Sequence, residues 1–123
     1  MPRHVPATVH ELTRVELLAG LPGSTLAELA GRLEREEVAP NETVVREGDP
    51  GDRFYIVLSG LFSVTQGTIG ERRLLRPGDW FGEVALAMRI PRTASVRALT
   101  PAVVASCDRE TFDELLRPLF ADE

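Results

Sequence analysis

Between Phe81 and Ser95 the sequence reads FGEVALAMRIPRTAS. One carboxylate, Glu83, opens this stretch and one arginine, Arg92, lies near its end, with a mostly apolar segment between them. Gly82 permits a tight backbone path, and Val84-Ala85-Leu86-Ala87-Met88 suits about one helical turn, whose first amides would form an anion-binding concavity. Pro91 fixes the approach to Arg92, whose planar fork suits a pair of anionic oxygens, and Thr93, Ala94 and Ser95 lack the bulk to cover it. A carboxylate beside such an arginine is out of place in a pure anion site. The pair suits a ligand carrying both a phosphate and a neighbouring hydroxyl, with Glu83 accepting from the hydroxyl and Arg92 pairing with the phosphate. An ion pair between Glu83 and Arg92 that merely holds a surface loop is the competing account, and spacing alone does not separate the two.

Other chemistries find little support. The histidines are His4 and His10, both ahead of the β-rich part, so an imidazole cluster for a metal is not expected. Cys107 has no histidine near it in sequence and ends an apolar strand, which suits an inert structural thiol. Ser59, Ser63, Ser95 and Ser106 lack a nucleophile-elbow context. No enzymatic activity is expected, and no metal or cofactor.

The elements that must position the Glu83 and Arg92 pair belong to a chain of 123 residues, enough for one domain with its own core. Nineteen acidic against fourteen basic residues give a formal charge of -5, and arginine clusters such as Glu71-Arg72-Arg73 are mixed with acids, so no nucleic-acid partner is expected. The single cysteine and the absence of an apolar leader after Met-Pro-Arg-His point to cytoplasmic residence. No run approaches the roughly eighteen apolar residues of a membrane helix, so direct membrane contact is not expected.

Residues 1–11 read as a flexible lead-in, and residues 12–120 as one domain. Leu12, Val15 and Leu18 keep helical spacing up to the Gly20-Leu21-Pro22-Gly23 turn. Ser24 or Thr25 is the expected cap of the next helix, with Glu28 in its first turn. Leu26, Leu29, Ala30 and Leu33 form its apolar stripe, opposite a charged face of Arg32, Glu34, Arg35 and Glu36. From about residue 38 to 108, short β-branched or aromatic runs alternate with turns. Strands are expected at Thr43 to Val45, Phe54 to Leu58, Phe62 to Gln66, Arg72 to Leu75, Thr93 to Arg97 and Val103 to Asp108. The expected fold is mostly β, an antiparallel β-roll or double-stranded jelly roll, with helices before it. A short C-terminal helix over Glu110 to Leu119, capped by Asp108, closes it.

FGEVALAMRIPRTASV resembles the phosphate-binding cassette of the cyclic nucleotide-binding domain family, and EGDPGDRFYIVLSG resembles the glycine-bearing early strands of that family. Members include bacterial catabolite-activator-type regulators, cyclic nucleotide-dependent kinases and cyclic nucleotide-gated channels, and the first group sets the expectation of a bacterial source. The resemblance covers roughly residues 14 to 119. It implies that Glu83 holds the ribose 2′-hydroxyl, assisted by the Gly82 carbonyl, and that Arg92 neutralises the cyclic phosphate with the Ala85 and Thr93 amides. Ala94 follows in the same cassette, and Val64, Leu74, Val84 and Leu86 are the implied walls for the purine. The implied ligand is cAMP or cGMP, with Thr93 a feature shared with cGMP-responsive relatives.

Two departures stand out: Arg89-Ile90 replaces the glycines common before the Pro-Arg pair, and the sequence ends at Glu123, where the family usually adds a base-capping helix. The expected function is a regulatory module that signals ligand occupancy through its flanking helices to an effector outside this chain, with homodimerisation left open. A non-binding structural or protein-interaction domain of the same fold is the alternative.

Overall fold

The structure, a computed structural model, describes residues 7–67 and 70–120. Helix α1 (Val9–Leu12) carries a capping box in which Glu11 N donates to Thr8 Oγ1 and Thr8 N to Glu11 Oε1. A 3-10 turn (Glu16–Leu18) leads to α2 (Gly23–Arg32). Residues 1–6 of the expected lead-in lie outside the described residues. Within residues 7 to 11, Ala7 is buried and its amide donates to Leu33 O. Helix α2 starts at Gly23 after Pro22 with no side-chain cap, so neither Ser24 nor Thr25 does the capping, and its first turn holds no acid.

Eight strands follow: β1 (Glu34–Val38), β2 (Thr43–Val45), β3 (Arg53–Ser59), β4 (Phe62–Gln66), β5 (Gly70–Leu75), β6 (Trp80–Phe81), β7 (Ser95–Ala98) and β8 (Ala102–Asp108). They make two four-stranded antiparallel sheets, ordered β1-β8-β3-β6 and β2-β7-β4-β5. This corrects the expected fold class. The sheets are not closed or curled into a jelly roll, because no strand pairs with both, and each sheet keeps two outer strands of its own. Helical segments hold a share of the chain comparable to the strands, so the domain is mixed α and β rather than mostly β. Turn residues separate neighbouring strands locally; whether the outer strands meet depends on pairings far apart in sequence.

The packing is layered, and β3 shows how. Its run Arg53–Ser59 is apolar nearly throughout because both faces are buried: Phe54 and Ile56 join the core under the helices, Tyr55 and Val57 the core between the sheets. Strand β8 divides in the same way, with Cys107 and Ala105 on the helical side and Val104 and Ala102 between the sheets. On the helical side Leu26, Leu29, Ala30 and Leu33 are buried, as their stripe requires. Glu34, Arg35 and Glu36, expected on a helix face, instead open β1, an outer strand whose exposed charges discourage further pairing.

Helix α3 (Glu83–Met88) lies between β6 and β7, and α4 (Arg109–Thr111) starts the C-terminal segment. Asp108 caps α4 by accepting from Thr111 N at 2.9 Å. The expected single helix continues as a π-helix (Phe112–Leu116) and a 3-10 turn (Arg117–Phe120), tightening where Pro118 removes an amide donor.

Cys107 is 1% exposed, and burial pushes its thiol up to about 12 from 9.0. Two results are expected. A maleimide should leave Cys107 unmodified in the native state and label it once the chain unfolds. Because the folded value is raised, the neutral thiol's contribution is intact below about pH 9 and is lost as pH climbs toward 12, which urea titrations at stepped pH measure. Native labelling at neutral pH contradicts the burial.

Candidate ligand-binding site

Arg92 anchors the site. Its backbone is fixed to the turn before β3: Arg92 N donates to Asp49 O at 2.8 Å, and Gly48 N donates to Arg92 O at 2.9 Å. The residue is 7% exposed, and its guanidinium donates to Arg53 O at 2.9 Å and to Gly82 O at 3.3 Å. Burial lowers its pKa from the usual value, and the nearby Tyr55, Asp52 and Glu83 oppose that shift. Tyr55 lies beneath the guanidinium, with Arg92 Cζ 5.8 Å from the ring centroid.

Two glycines allow this approach. Gly82 has φ +99, where a side chain is strained, and a Cβ there would stand 2.8 Å from both Arg53 O and Arg92 Nη1. A Cβ on Gly51 would stand 2.5 Å from Ala85 Cβ and 2.9 Å from Arg92 Nε. Any larger residue at either point would displace Arg92 or the start of α3.

Gly82 is also the residue from which α3 departs, and Leu86 N returns to Gly82 O at 3.4 Å. Ala85 N and Thr93 N take no part in backbone hydrogen bonds, so both amides remain as donors near Arg92. The helix stops at Arg89, which takes the left-handed conformation (φ 55, ψ 46) that glycine adopts at low cost. The Arg89-Ile90 departure is therefore accommodated by a left-handed residue that ends α3 after Met88.

These residues line a cavity of about 410 Å³ that also reaches the second sheet. Of the residues expected from sequence, Gly82, Glu83, Val84, Ala85, Arg92, Thr93, Ala94 and Val64 all border it. Leu74 and Leu86 do not. Leu86 is fully buried in the core under the helices, and Leu74 is exposed on the other face of β5. The register pairs Val64 with Arg73 and Phe62 with Leu75, so Arg73 and Leu75 border the cavity in place of Leu74. Val45 and Gln66 complete the second-sheet side, and Gln66 Nε2 donates to Thr93 O at 2.9 Å. Glu83 and Arg92 form no ion pair, since Arg92 bonds the two carbonyls instead. The loop-holding ion pair is thus not what places these residues together. Among the described residues no cluster of metal-binding side chains occurs, and no helix is long and apolar enough to cross a membrane.

A buried guanidinium, free amides and a carboxylate lining a cavity beside apolar side chains are the groups that suit a phosphate ester bearing a hydroxyl. Comparison with known proteins finds regulatory subunits and regulatory domains of protein kinases. The regulatory domain of Toxoplasma gondii PKA, solved with cAMP, matches with TM-score 0.86 at 32% identity, over 91% of this chain and 45% of that one. The regulatory subunit of a cAMP-independent protein kinase A from Trypanosoma brucei matches with TM-score 0.86 at 28% identity, over 90% of this chain and 41% of that one. The cAMP-dependent protein kinase regulatory subunit of Yarrowia lipolytica is 40% identical over 109 residues, covering 88% of this chain and 29% of that protein. The chain thus spans about a quarter to a third of the length of such curated relatives, from 23% in the Hypocrea atroviridis subunit to 35% in that of Dictyostelium discoideum. These relatives are eukaryotic, so the expectation of a bacterial source is not borne out. A family model described as "Cyclic nucleotide-binding domain" matches residues 35–118, and the chain belongs to that family.

Proposed function

We propose that this chain is a regulatory module, without catalysis of its own, that binds a cyclic nucleotide, cAMP foremost, in the cavity between α3 and the second sheet. The observation that carries the reading is that Arg92, Glu83, Ala85 and Thr93 border one cavity, with the Ala85 and Thr93 amides free. Arg92 and the two amides take the cyclic phosphate, and Glu83, with Gly82 O, takes the ribose 2′-hydroxyl. Val64, Val84 and Ala94 give the base and sugar their apolar contacts. The module acts on a kinase or other effector outside this chain and works in the cytoplasm. Relatives solved with cAMP or named cAMP-dependent support this reading. Isothermal calorimetry of the chain with cAMP and cGMP tests it, and the absence of saturable binding of either overturns it.

Glu83→Gln should weaken cAMP binding by about three- to tenfold, since the amide keeps an acceptor and loses the charge. The 2′-deoxy analogue should bind wild type and variant alike. A full penalty with that analogue would show Glu83 acting through the loop and not through the hydroxyl.

Base preference depends on Arg73 as well as Thr93. Arg73 is exposed at the cavity edge and presents donors only. Guanine offers two acceptors at N7 and O6 where adenine pairs one acceptor with a donor. Arg73→Gln should therefore cost cGMP about three- to tenfold more affinity than cAMP in parallel titrations. Equal losses would remove Arg73 from base selection.

A second reading, a non-binding domain of the same fold, is favoured by one observation: the Arg92 fork already donates to two carbonyls. The match to a cAMP-independent relative is consistent with it. The calorimetry separates the two.

A further inference from the structure

We propose that Tyr55 is a positioning residue for Arg92, acting through the face of its ring and not through its hydroxyl; this deepens, and rests on, the cyclic nucleotide reading above. Tyr55 lies on β3 with its side chain between the sheets, and it does not border the ligand cavity. It borders a smaller cavity of about 180 Å³ that Arg92, Val45 and Arg46 also line. Arg92 thus borders the ligand cavity while its guanidinium lies over the Tyr55 ring and donates to the Arg53 and Gly82 carbonyls.

An arginine side chain has many rotamers, and a bound phosphate must otherwise meet the cost of selecting one. A carboxylate could select it too, but would neutralise the charge that the phosphate needs. An aromatic face attracts the cation and leaves its net charge intact. Burial raises the Tyr55 hydroxyl above its usual value, so the ring stays neutral at physiological pH.

The same ring fixes a second edge of the site. Tyr55 stacks on Phe81, with centroids 4.8 Å apart and planes 7° apart, and the two residues face each other in the β3–β6 pairing. Phe81 directly precedes Gly82, whose carbonyl accepts from Arg92. One aromatic pair thus holds both the arginine and the start of α3.

The test is a mutant cycle on the full chain read by cAMP calorimetry, with nitrogen-15 NMR of the Arg92 Nε–H in the ligand-free state. Tyr55→Phe should retain cAMP affinity. Tyr55→Leu should lose about fivefold, and that loss should vanish when Arg92→Gln is already present. The Arg92 resonance should show an aromatic ring-current displacement in wild type and Tyr55→Phe that Tyr55→Leu abolishes. A fivefold loss in Tyr55→Phe, or a Leu penalty that persists beside Arg92→Gln, overturns the role. So does the absence of a ring-current displacement in wild type, which also decides the matter if Tyr55→Leu fails to fold. A wild-type chain that shows the displacement but binds no cAMP would sink the cyclic nucleotide reading and leave the positioning of Arg92 standing.

Discussion

Replacing Arg92 by alanine should weaken cAMP binding by about ten- to hundredfold, the equivalent of roughly 1.5 to 3 kcal/mol for a charge-assisted contact. Arg92 is a buried cationic group that borders the cavity, and the amides that remain beside it carry only partial charge. The same change also removes the donors to Arg53 O and Gly82 O, and with them the link between β3 and the start of α3. A stability loss of about 1 to 3 kcal/mol is therefore expected beside the binding loss. The two are separable by measuring urea denaturation without ligand and then calorimetry at a temperature where the variant is folded. Arg92→Lys sharpens the test, because it restores the charge without the planar fork. It should recover part of the affinity and little of the bonding to both carbonyls. A folded Arg92→Ala chain that binds cAMP as tightly as wild type would exclude the phosphate role.

The polar rim of the cavity was more legible in the sequence than its walls. Glu83 and Arg92 are far enough apart in sequence to be read as two ends of a loop, and the turn at Gly82 and Pro91 brings them to one cavity. The resemblance implies Leu74 as a wall, yet Leu74-Leu75 is a pair of adjacent leucines, and alternation cannot say which of two neighbours faces inward. That choice comes from the pairing of Phe62 with Leu75 and from the register shift between Val64 and Thr65. Leu86 was misplaced for the same kind of reason. A single helical turn has too few residues to show its buried face, and here Leu86 faces the core under the helices while Val84 faces the cavity.

Strand β1 escaped notice because Glu34-Arg35-Glu36-Glu37 is almost wholly charged. Such a segment becomes a strand through its ladder to β8, a partner nearly seventy residues away, and not through its own propensity. The two-residue β6 is too short to leave any periodic signal. Tyr55 lay in a run whose aromatic and aliphatic residues announce a strand, but its role behind Arg92 depends on a contact that spacing does not encode.

The C-terminal segment should be where occupancy of the site is felt, and Phe112→Ala should cost about 3 to 5 kcal/mol. Phe112 is fully buried, with its ring 5.4 Å from Phe54 and 5.7 Å from Phe120, and Arg117 Cζ lies 5.7 Å over it. Against a total stability of roughly 5 to 15 kcal/mol for an ordinary domain, that loss is severe, and thermal denaturation should show it directly. A loss below about 1 kcal/mol would mean that the segment is not docked as described. Two arginines tie this segment to α3. Arg109 Nη1 donates to Leu86 O at 3.0 Å and its Nη2 to Gly51 O at 3.1 Å, while Arg117 reaches Leu86 O and Ala87 O at 3.5 and 3.4 Å. They satisfy carbonyls at the end of the helix whose first turn borders the cavity, and Gly51 packs against Arg92 itself. A shift of α3 on phosphate capture must therefore stretch or reset these bonds. Ligand can favour one arrangement only by binding it more tightly, so the shift and the affinity are two readings of one free energy. Amide hydrogen exchange with and without saturating cAMP measures the effect. Protection at residues 82 to 94 together with a clear change at residues 109 to 120 is expected, and Arg109→Met should weaken the second response while keeping the first. Protection confined to residues 82 to 94 in the wild-type chain would mean that the C-terminal segment is a static cover and that the output leaves by another route.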